Sequence, residues 1–424
     1  MKTKGMDVET GGAIEGRGGA SSIGVGWLLL ILAAGLGVRA GWGVYRPTAS
    51  ADPAALEFPD EVDYWGLAAS LARGDGLVGE HGFRALRMPL YPAMLAPFAG
   101  STDGTFRAKV QQWPIGAFAA VLAALLGASV AGRAVGIAAG LLVAFDPFLV
   151  FFSSLLLNET LFITLLCGLW VAGWDGLRSD APPPVRRWVL IGLLGAACVY
   201  AKESSLGLVA LWTGLLLIRH ARRPRAWIGA GVVALVLAAG LLPWALRNRQ
   251  VTGQFCWLTH RGGISLYDGV QPGATGASDL GSIKQMEAVR GLDEAAWDRY
   301  FRDRSWEQIR AEPGRMMRLA WVKIARTWNP LPNVDTYQST AVRWVSAAWT
   351  LPVYVLAVVG AWRLRRRRWE VAGLLLPAVY ILLLHAVFVG SVRYRLPAMP
   401  FLEILTAVGF VGKLIERHRG RECS

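Results

Sequence analysis

From Pro59 to Pro92 the chain reads PDEVDYWGLAASLARGDGLVGEHGFRALRMPLYP, and this stretch gathers the residue types that group transfer needs. Asp60, Glu61 and Asp63 stand at its front, Tyr64 follows, and Arg84 and Arg87 close it. A carboxylate can take the proton of an attacking hydroxyl. A guanidinium can hold a departing phosphate through paired hydrogen bonds and neutralise its growing charge. Acid and cation on one polar segment therefore fit a transfer reaction with a phosphate leaving group. Plainer readings stand beside this one. Asp60 after Pro59 is well placed to cap a helix, whose dipole favours carboxylates in its first turn. Arginines at a membrane surface commonly meet lipid headgroups.

These residues must be held by elements that are mostly apolar. The 424-residue chain is 54% hydrophobic and only 17% charged, the balance of an integral membrane protein. Its net charge of +14 would suggest nucleic acid in a soluble protein. Here the basic residues cluster in short gaps between apolar segments, as in cytoplasmic loops facing anionic lipid. No zinc or aromatic RNA-binding motif accompanies them, so nucleic acid is not an expected partner. Cys167, Cys198, Cys256 and Cys423 have no metal-ligand spacing and imply no disulfide framework. Residues 1–21 are polar and Gly-rich and read as a disordered cytoplasmic tail. The apolar stretch after them is too long for a signal-peptide core and reads as a retained first span.

Taking roughly 17–25 apolar residues as the spanning unit, the sequence predicts an all-α polytopic membrane protein with about ten transmembrane helices. The core runs over 22–246 and contains a first outer loop at 46–109. A polar outer segment occupies 247–341, and three spans and a basic cytoplasmic tail complete 342–424. With both termini inside, Arg133, the Arg178–Arg187 loop, Arg219 to Arg225, and Arg363 to Arg368 all fall on the cytoplasmic side. In the outer segment, Met286, Val289, Trp297, Tyr300, Ile309, Met316, Leu319 and Val322 recur at roughly helical spacing among charges between Ile283 and Trp328. They predict amphipathic helices that lie on the outer membrane surface or cap the bundle.

The order of several short motifs relative to these spans carries a resemblance. Pro59-Asp60-Glu61 with Tyr64, then Arg73-Gly74-Asp75-Gly76, then Arg87-Met88-Pro89-Leu90-Tyr91-Pro92 look like the first outer loop of the GT-C glycosyltransferases. The pattern is that of the bacterial family related to the lipid A aminoarabinose transferase and the protein O-mannosyltransferases. FFSSLLLNETL (Phe151 to Leu161) resembles the family's second outer loop and places an acid, Glu159, atop the fourth span. Tyr200-Ala201-Lys202-Glu203 resembles a short outer turn facing the donor, and Arg393-Tyr394-Arg395-Leu396-Pro397 resembles the closing outer motif. The resemblance covers most of the chain.

The resemblance implies a multi-pass inner-membrane enzyme that moves a sugar from a polyprenyl-phosphate donor to an acceptor lipid, glycan or protein on the outer face. It implies Asp60 as the essential acid, with Glu61 beside it. Arg87, where relatives often carry lysine, would bind the donor phosphate together with Arg84, Lys202, Arg393 and Arg395. As structure alone, Lys202 and Glu203 also read as a surface pair, Glu159 as a helix cap, and the closing arginines as headgroup contacts. Some members of the superfamily use a divalent cation. Asp60, Glu61, Asp63 and Glu159 offer hard oxygen ligands for magnesium or manganese, while His81 in the same loop is either a further ligand or simply solvated. The rival class is a transporter or flippase, which would keep its charges near mid-membrane; Arg39 and His385 are the candidates for that.

Overall fold

The computed structural model describes residues 23–45, 55–334 and 337–422. The expected N-terminal tail and Cys423 lie outside them. All regular structure among the described residues is helical. The first half comprises α1 (Val25–Tyr45), α2 (Pro59–Ala72), α3 (Leu90–Leu95), α4 (Gly104–Val110), α5 (Gln112–Ala131), α6 (Arg133–Phe145), α7 (Pro147–Phe152), α8 (Glu159–Arg178) and α9 (Val185–Ala201). The second comprises α10 (Leu206–Arg219), α11 (Pro224–Thr252), α12 (Gly262–Val270), α13 (Leu280–Lys284), α14 (Glu294–Ala311), α15 (Pro313–Thr327), α16 (Thr340–Arg363), α17 (Arg368–Val387) and α18 (Met399–Glu422).

Among the described residues seven helical segments are long and apolar enough to cross a membrane, against the ten spans expected. The other three expected positions hold α6, α9 and α10, of 13, 17 and 14 residues. At about 1.5 Å per residue these reach roughly 20–26 Å, short of a ~30 Å hydrocarbon core. The third predicted span is cut at Asp146-Pro147. There the Asp146 carboxylate accepts from the amides of Phe148 (2.7 Å) and Leu149 (2.9 Å) and starts α7.

Small residues let the helices approach closely, as expected where lipid offers no hydrophobic drive between apolar surfaces. A Cβ on Gly360 of α16 would fall 1.9 Å from the Leu405 carbonyl oxygen of α18, and one on Gly409 of α18 2.3 Å from that of Leu356. In the interior Trp170 stacks on Trp212 with ring centroids 4.3 Å apart and donates to the Gly373 carbonyl at 2.8 Å. Arg39, buried within α1, is held by backbone: its Nη1 donates to the Gly35 and Ala144 carbonyls at 3.1 Å each.

The loops sort to two ends of the bundle. At one end the basic loops meet one another: Arg367 donates to Val130 (2.8 Å) and Arg219 to Ser179 (3.2 Å) and Asp180 (3.1 Å). At the other end lie α2, the α7–α8 turn, the end of α9 and the turn before α18. The segment between α11 and α16 joins this second end and builds a small core of its own from Ile264, Tyr267, Ile283, Val289, Trp297 and Phe301. The helices expected between Ile283 and Trp328 are separate elements. A 3₁₀ turn spans Glu287–Val289, α14 starts where Asp293 accepts from the Ala296 amide (2.7 Å), and Pro313 opens α15. Leu319 is buried, whereas Val322 is 43% exposed, so only part of the predicted stripe faces protein.

Candidate functional site

The site begins with the way α2 is fastened. Pro59 sits in its first turn, where a missing N–H costs nothing. Glu61, fully buried, turns back so that Oε2 accepts from the amides of Glu57 (2.8 Å) and Phe58 (3.1 Å), while Oε1 accepts from the Leu156 amide (2.7 Å). Both oxygens are thus spent on backbone, and the start of α2 is clasped to the α7–α8 turn. Asn158 ties that same turn to the end of α9, donating to the Ala201 carbonyl at 2.7 Å. Three elements distant in sequence are therefore fixed side by side.

On this frame the charged side chains converge. Arg87 Nη2 donates to Asp60 Oδ1 and to Asp63 Oδ2 (2.9 Å). Its guanidinium lies 4.8 Å from the centroid of the Tyr64 ring, which packs edge-on against Tyr91 at 4.9 Å. Arg393, in the 3₁₀ turn Val392–Ala398, donates through Nη1 to Asp60 Oδ2 (2.5 Å) and through Nε to Glu159 Oε1 (2.7 Å). Lys202 reaches the same Glu159 oxygen at 3.2 Å. Glu159 opens α8, where the helix dipole favours a carboxylate. Three carboxylates are thereby matched by three cations. Two atoms of the cluster stay unanswered: Glu159 Oε2 and Arg87 Nε are buried with no hydrogen-bond partner.

Burial by itself would raise the Asp60 carboxyl, but the Arg87 and Arg393 guanidiniums outweigh it and hold it well below the usual carboxylate range. Burial opposes the charge on Arg87 too, and there Asp60 and Asp63 win, keeping it well above its ordinary value. Burial pushes the Tyr64 phenol up. Asp60 and Arg87 are thereby held in their charged forms and paired with each other.

The structure therefore brings together Asp60, Asp63, Tyr64, Arg87, Glu159, Lys202 and Arg393. Others predicted from sequence lie elsewhere. Glu61 is a buried clasp for backbone amides, not an acid facing a substrate. Arg395 is fully buried below the cluster, donating to the Asn329 carbonyl and to Thr350 Oγ1 (3.2 Å), with Phe148 under its guanidinium at 4.6 Å. It holds the α15–α16 connection rather than a phosphate. His81 sits at the rim with φ 59°, 3.6 Å from Glu80 and against Phe83 and Trp297. Arg84 is outside the paired cluster and lines an adjoining cleft with Asp63, Leu67, Phe83, Arg87 and Arg261.

The acids suggested for a metal do not fit one in this arrangement. Arg393 occupies the space between Asp60 and Glu159, Glu61 is consumed by backbone, and no group of three metal-ligating side chains occurs among the described residues. The two charged groups that a transporter reading would use are also engaged. Arg39 is bound to carbonyls. His385 lies in the last turn of α17, donates to the Val389 carbonyl (2.8 Å) and stacks on Tyr394 at 4.2 Å.

Sequence reasoning passed over two residues. Arg261, in an outer stretch read as Gly-rich turn, faces the cleft and lies close enough to Asp60 to lower its pKa. Glu294, in the first turn of α14, accepts from the amides of Arg84 (2.8 Å) and Ala85 (2.9 Å). A lone basic residue in an otherwise small-residue outer turn was the available signal for Arg261. Nothing local marked Glu294 as a partner of a loop 209 residues away.

No family model matches the sequence, and no curated protein matches it. Solved structures do. An archaeal oligosaccharyltransferase, AglB from Archaeoglobus fulgidus, solved with an inhibitory peptide and a dolichol-phosphate, superposes with a TM-score of 0.61 at 12% identity over 94% of this chain and 51% of its own. The apo form of the Archaeoglobus fulgidus enzyme gives 0.56 at 13% identity, covering 93% and 52%, and a form tethered to an acceptor peptide gives 0.58 at 12%, covering 94% and 51%. The chain spans about half the length of the structures it matches. At such identity the likeness is one of fold: a multi-pass, all-helical GT-C arrangement.

Proposed function

We propose that this chain is a membrane glycosyltransferase that moves a sugar from a polyprenyl-phosphate donor to an acceptor on the outer, periplasmic face, with both termini cytoplasmic. The observation that carries the reading is the Arg87–Asp60–Arg393–Glu159 chain at one rim of a GT-C fold, where a lipid-borne phosphate can arrive. Arg87, Arg393 and Lys202 hold the donor phosphate. Asp60, now gripped by two arginines, is ionised but a weak base; a phosphate that draws those guanidiniums away raises its basicity when the donor is in place. The acceptor hydroxyl then loses its proton to Asp60, and its oxygen attacks the anomeric carbon. The carbon–phosphate-oxygen bond breaks, and its electron pair leaves on the phosphate held by the cations. The product is a glycoside of inverted configuration and free polyprenyl phosphate. Glu159 Oε2, unpartnered, accepts a hydroxyl of the donor sugar.

Transfer from radiolabelled polyprenyl-phosphate sugars to a cell-envelope extract tests this. Asp60→Asn should abolish transfer while donor binding persists; brisk transfer by that variant would falsify the assignment.

A further inference from the structure

Beside the paired cluster, the cleft carries positive charge that the chain does not answer. Four cations line it: Arg84, Arg87, Arg261 and Lys284. Arg87 is matched by Asp60 and Asp63, and Lys284 by Glu80. Arg84 and Arg261 differ. Among the described residues neither side chain donates a hydrogen bond or comes within 4.0 Å of a carboxylate oxygen.

Their backbones, by contrast, are held firmly. The Arg84 amide is bound by Glu294 and its carbonyl accepts from Arg247 Nη1 at 2.6 Å. One residue on, the Ala85 carbonyl accepts from the His260 amide at 2.9 Å, which sets Arg261 against the same loop. Two arginines are thus anchored at their backbones beside one cleft, Arg84 exposed and Arg261 sharing only the longer-range field of Asp60 and Asp268, with no hydrogen bond or ion pair of their own. Such an arrangement favours a ligand that supplies the missing charge without ordering the loop first. Leu67, Phe83 and Ile264 give the cleft an apolar wall.

We propose that this cleft binds the acceptor through an anionic group, a phosphate ester or a carboxylate bracketed by Arg84 and Arg261, so that the acceptor hydroxyl lies toward Asp60 across Asp63 and Arg87. Two planar forks facing one cleft suit such a doubly charged, multi-oxygen group better than a neutral hydroxyl array. The inference rests on the glycosyltransferase reading and assigns donor phosphate and acceptor anion to separate cations.

The full chain in nanodiscs of zwitterionic lipid is titrated by calorimetry with glucose 6-phosphate, glucose, and, separately, polyprenyl phosphate. Wild type should bind glucose 6-phosphate at least about tenfold more tightly than glucose. The double variant Arg84→Gln/Arg261→Gln should erase that preference and still bind polyprenyl phosphate, whereas Arg393→Ala should lose polyprenyl phosphate and keep the preference. Arg304→Gln, an exposed charge on α14, is the control for general surface charge. No preference in wild type, a preference that survives the double variant, or one that falls equally with Arg304→Gln overturns the anion site. If instead Arg393→Ala leaves polyprenyl phosphate binding intact, the donor reading fails while the cleft result stands. Phosphatidic acid in place of a fifth of the neutral lipid distinguishes the sources: competition with glucose 6-phosphate means the anion arrives on a lipid, and no competition means a soluble acceptor.

Discussion

Replacing Glu61 by Gln separates a clasp from a catalyst. The carboxylate accepts three amide hydrogen bonds on two oxygens, from Glu57, Phe58 and Leu156. Gln keeps one carbonyl oxygen, so it can serve Leu156 or the pair at 57–58, and its NH2 then faces an amide donor on the other side. Hydrogen bonds to a charged group are worth about 1.5–3 kcal/mol each, so at least ~2 kcal/mol of local stability is lost. That corresponds to roughly 30-fold more frequent opening of the α2 start, read as faster hydrogen exchange in peptides covering 55–62 and 153–158. Transfer should fall by no more than a similar factor, with its pH dependence unchanged, because Asp60 remains the base. Exchange identical to wild type together with complete loss of transfer would refute the reasoning and put Glu61 in the reaction.

Three further outcomes follow from the geometry. Arg393→Lys keeps the charge, yet a single ammonium cannot span Asp60 and Glu159 as two guanidinium nitrogens do, so transfer should drop about tenfold or more; a wild-type rate would contradict the bridge. Because the Asp60 pKa is depressed in the folded chain, its stabilising share is full above the unfolded value near 3.9 and lost as pH falls through the lower folded one. The melting temperature should accordingly show no Asp60-linked fall between about pH 5 and 8, while Arg87→Gln moves the acid-side fall to higher pH; coincident profiles of the two proteins would count against the pairing. Gly360→Ala forces a Cβ to within 1.9 Å of the Leu405 carbonyl oxygen and should cost about 1–3 kcal/mol, lowering the melting temperature in detergent. Gly37→Ala, with nothing within 4 Å, is its control, and equal melting of the two would show that α16 and α18 are not so close.

Much of this was readable in one dimension because the signals are local and additive. Runs of apolar residues marked a helical membrane protein, and the basic clusters in the short gaps marked loops that belong together. The end of one predicted span was misjudged, where Asp146-Pro147 stops a helix that composition alone makes look continuous; α9 and α10 end where the sequence placed them but are too short for a full crossing. Within the site, Glu159 stood out because an acid atop an apolar helix is costly without a partner, Asp60 and Arg87 as acid and cation on one polar segment, and Lys202 and Arg393 only through motifs that the resemblance supplied.

What the residues by themselves determined was the class of chain, the order of its spans and which charged groups had to meet something. Only the folded arrangement decided what each one met. Glu61 and Asp60 are neighbours in sequence with equal chemistry, yet helical rotation turns one toward backbone amides and the other toward two arginines. Arg393 and Arg395 part in the same way, because two residues along a 3₁₀ turn point to different sides. Side-chain direction and contacts spanning more than two hundred residues are properties of packing, and no stretch of sequence contains them.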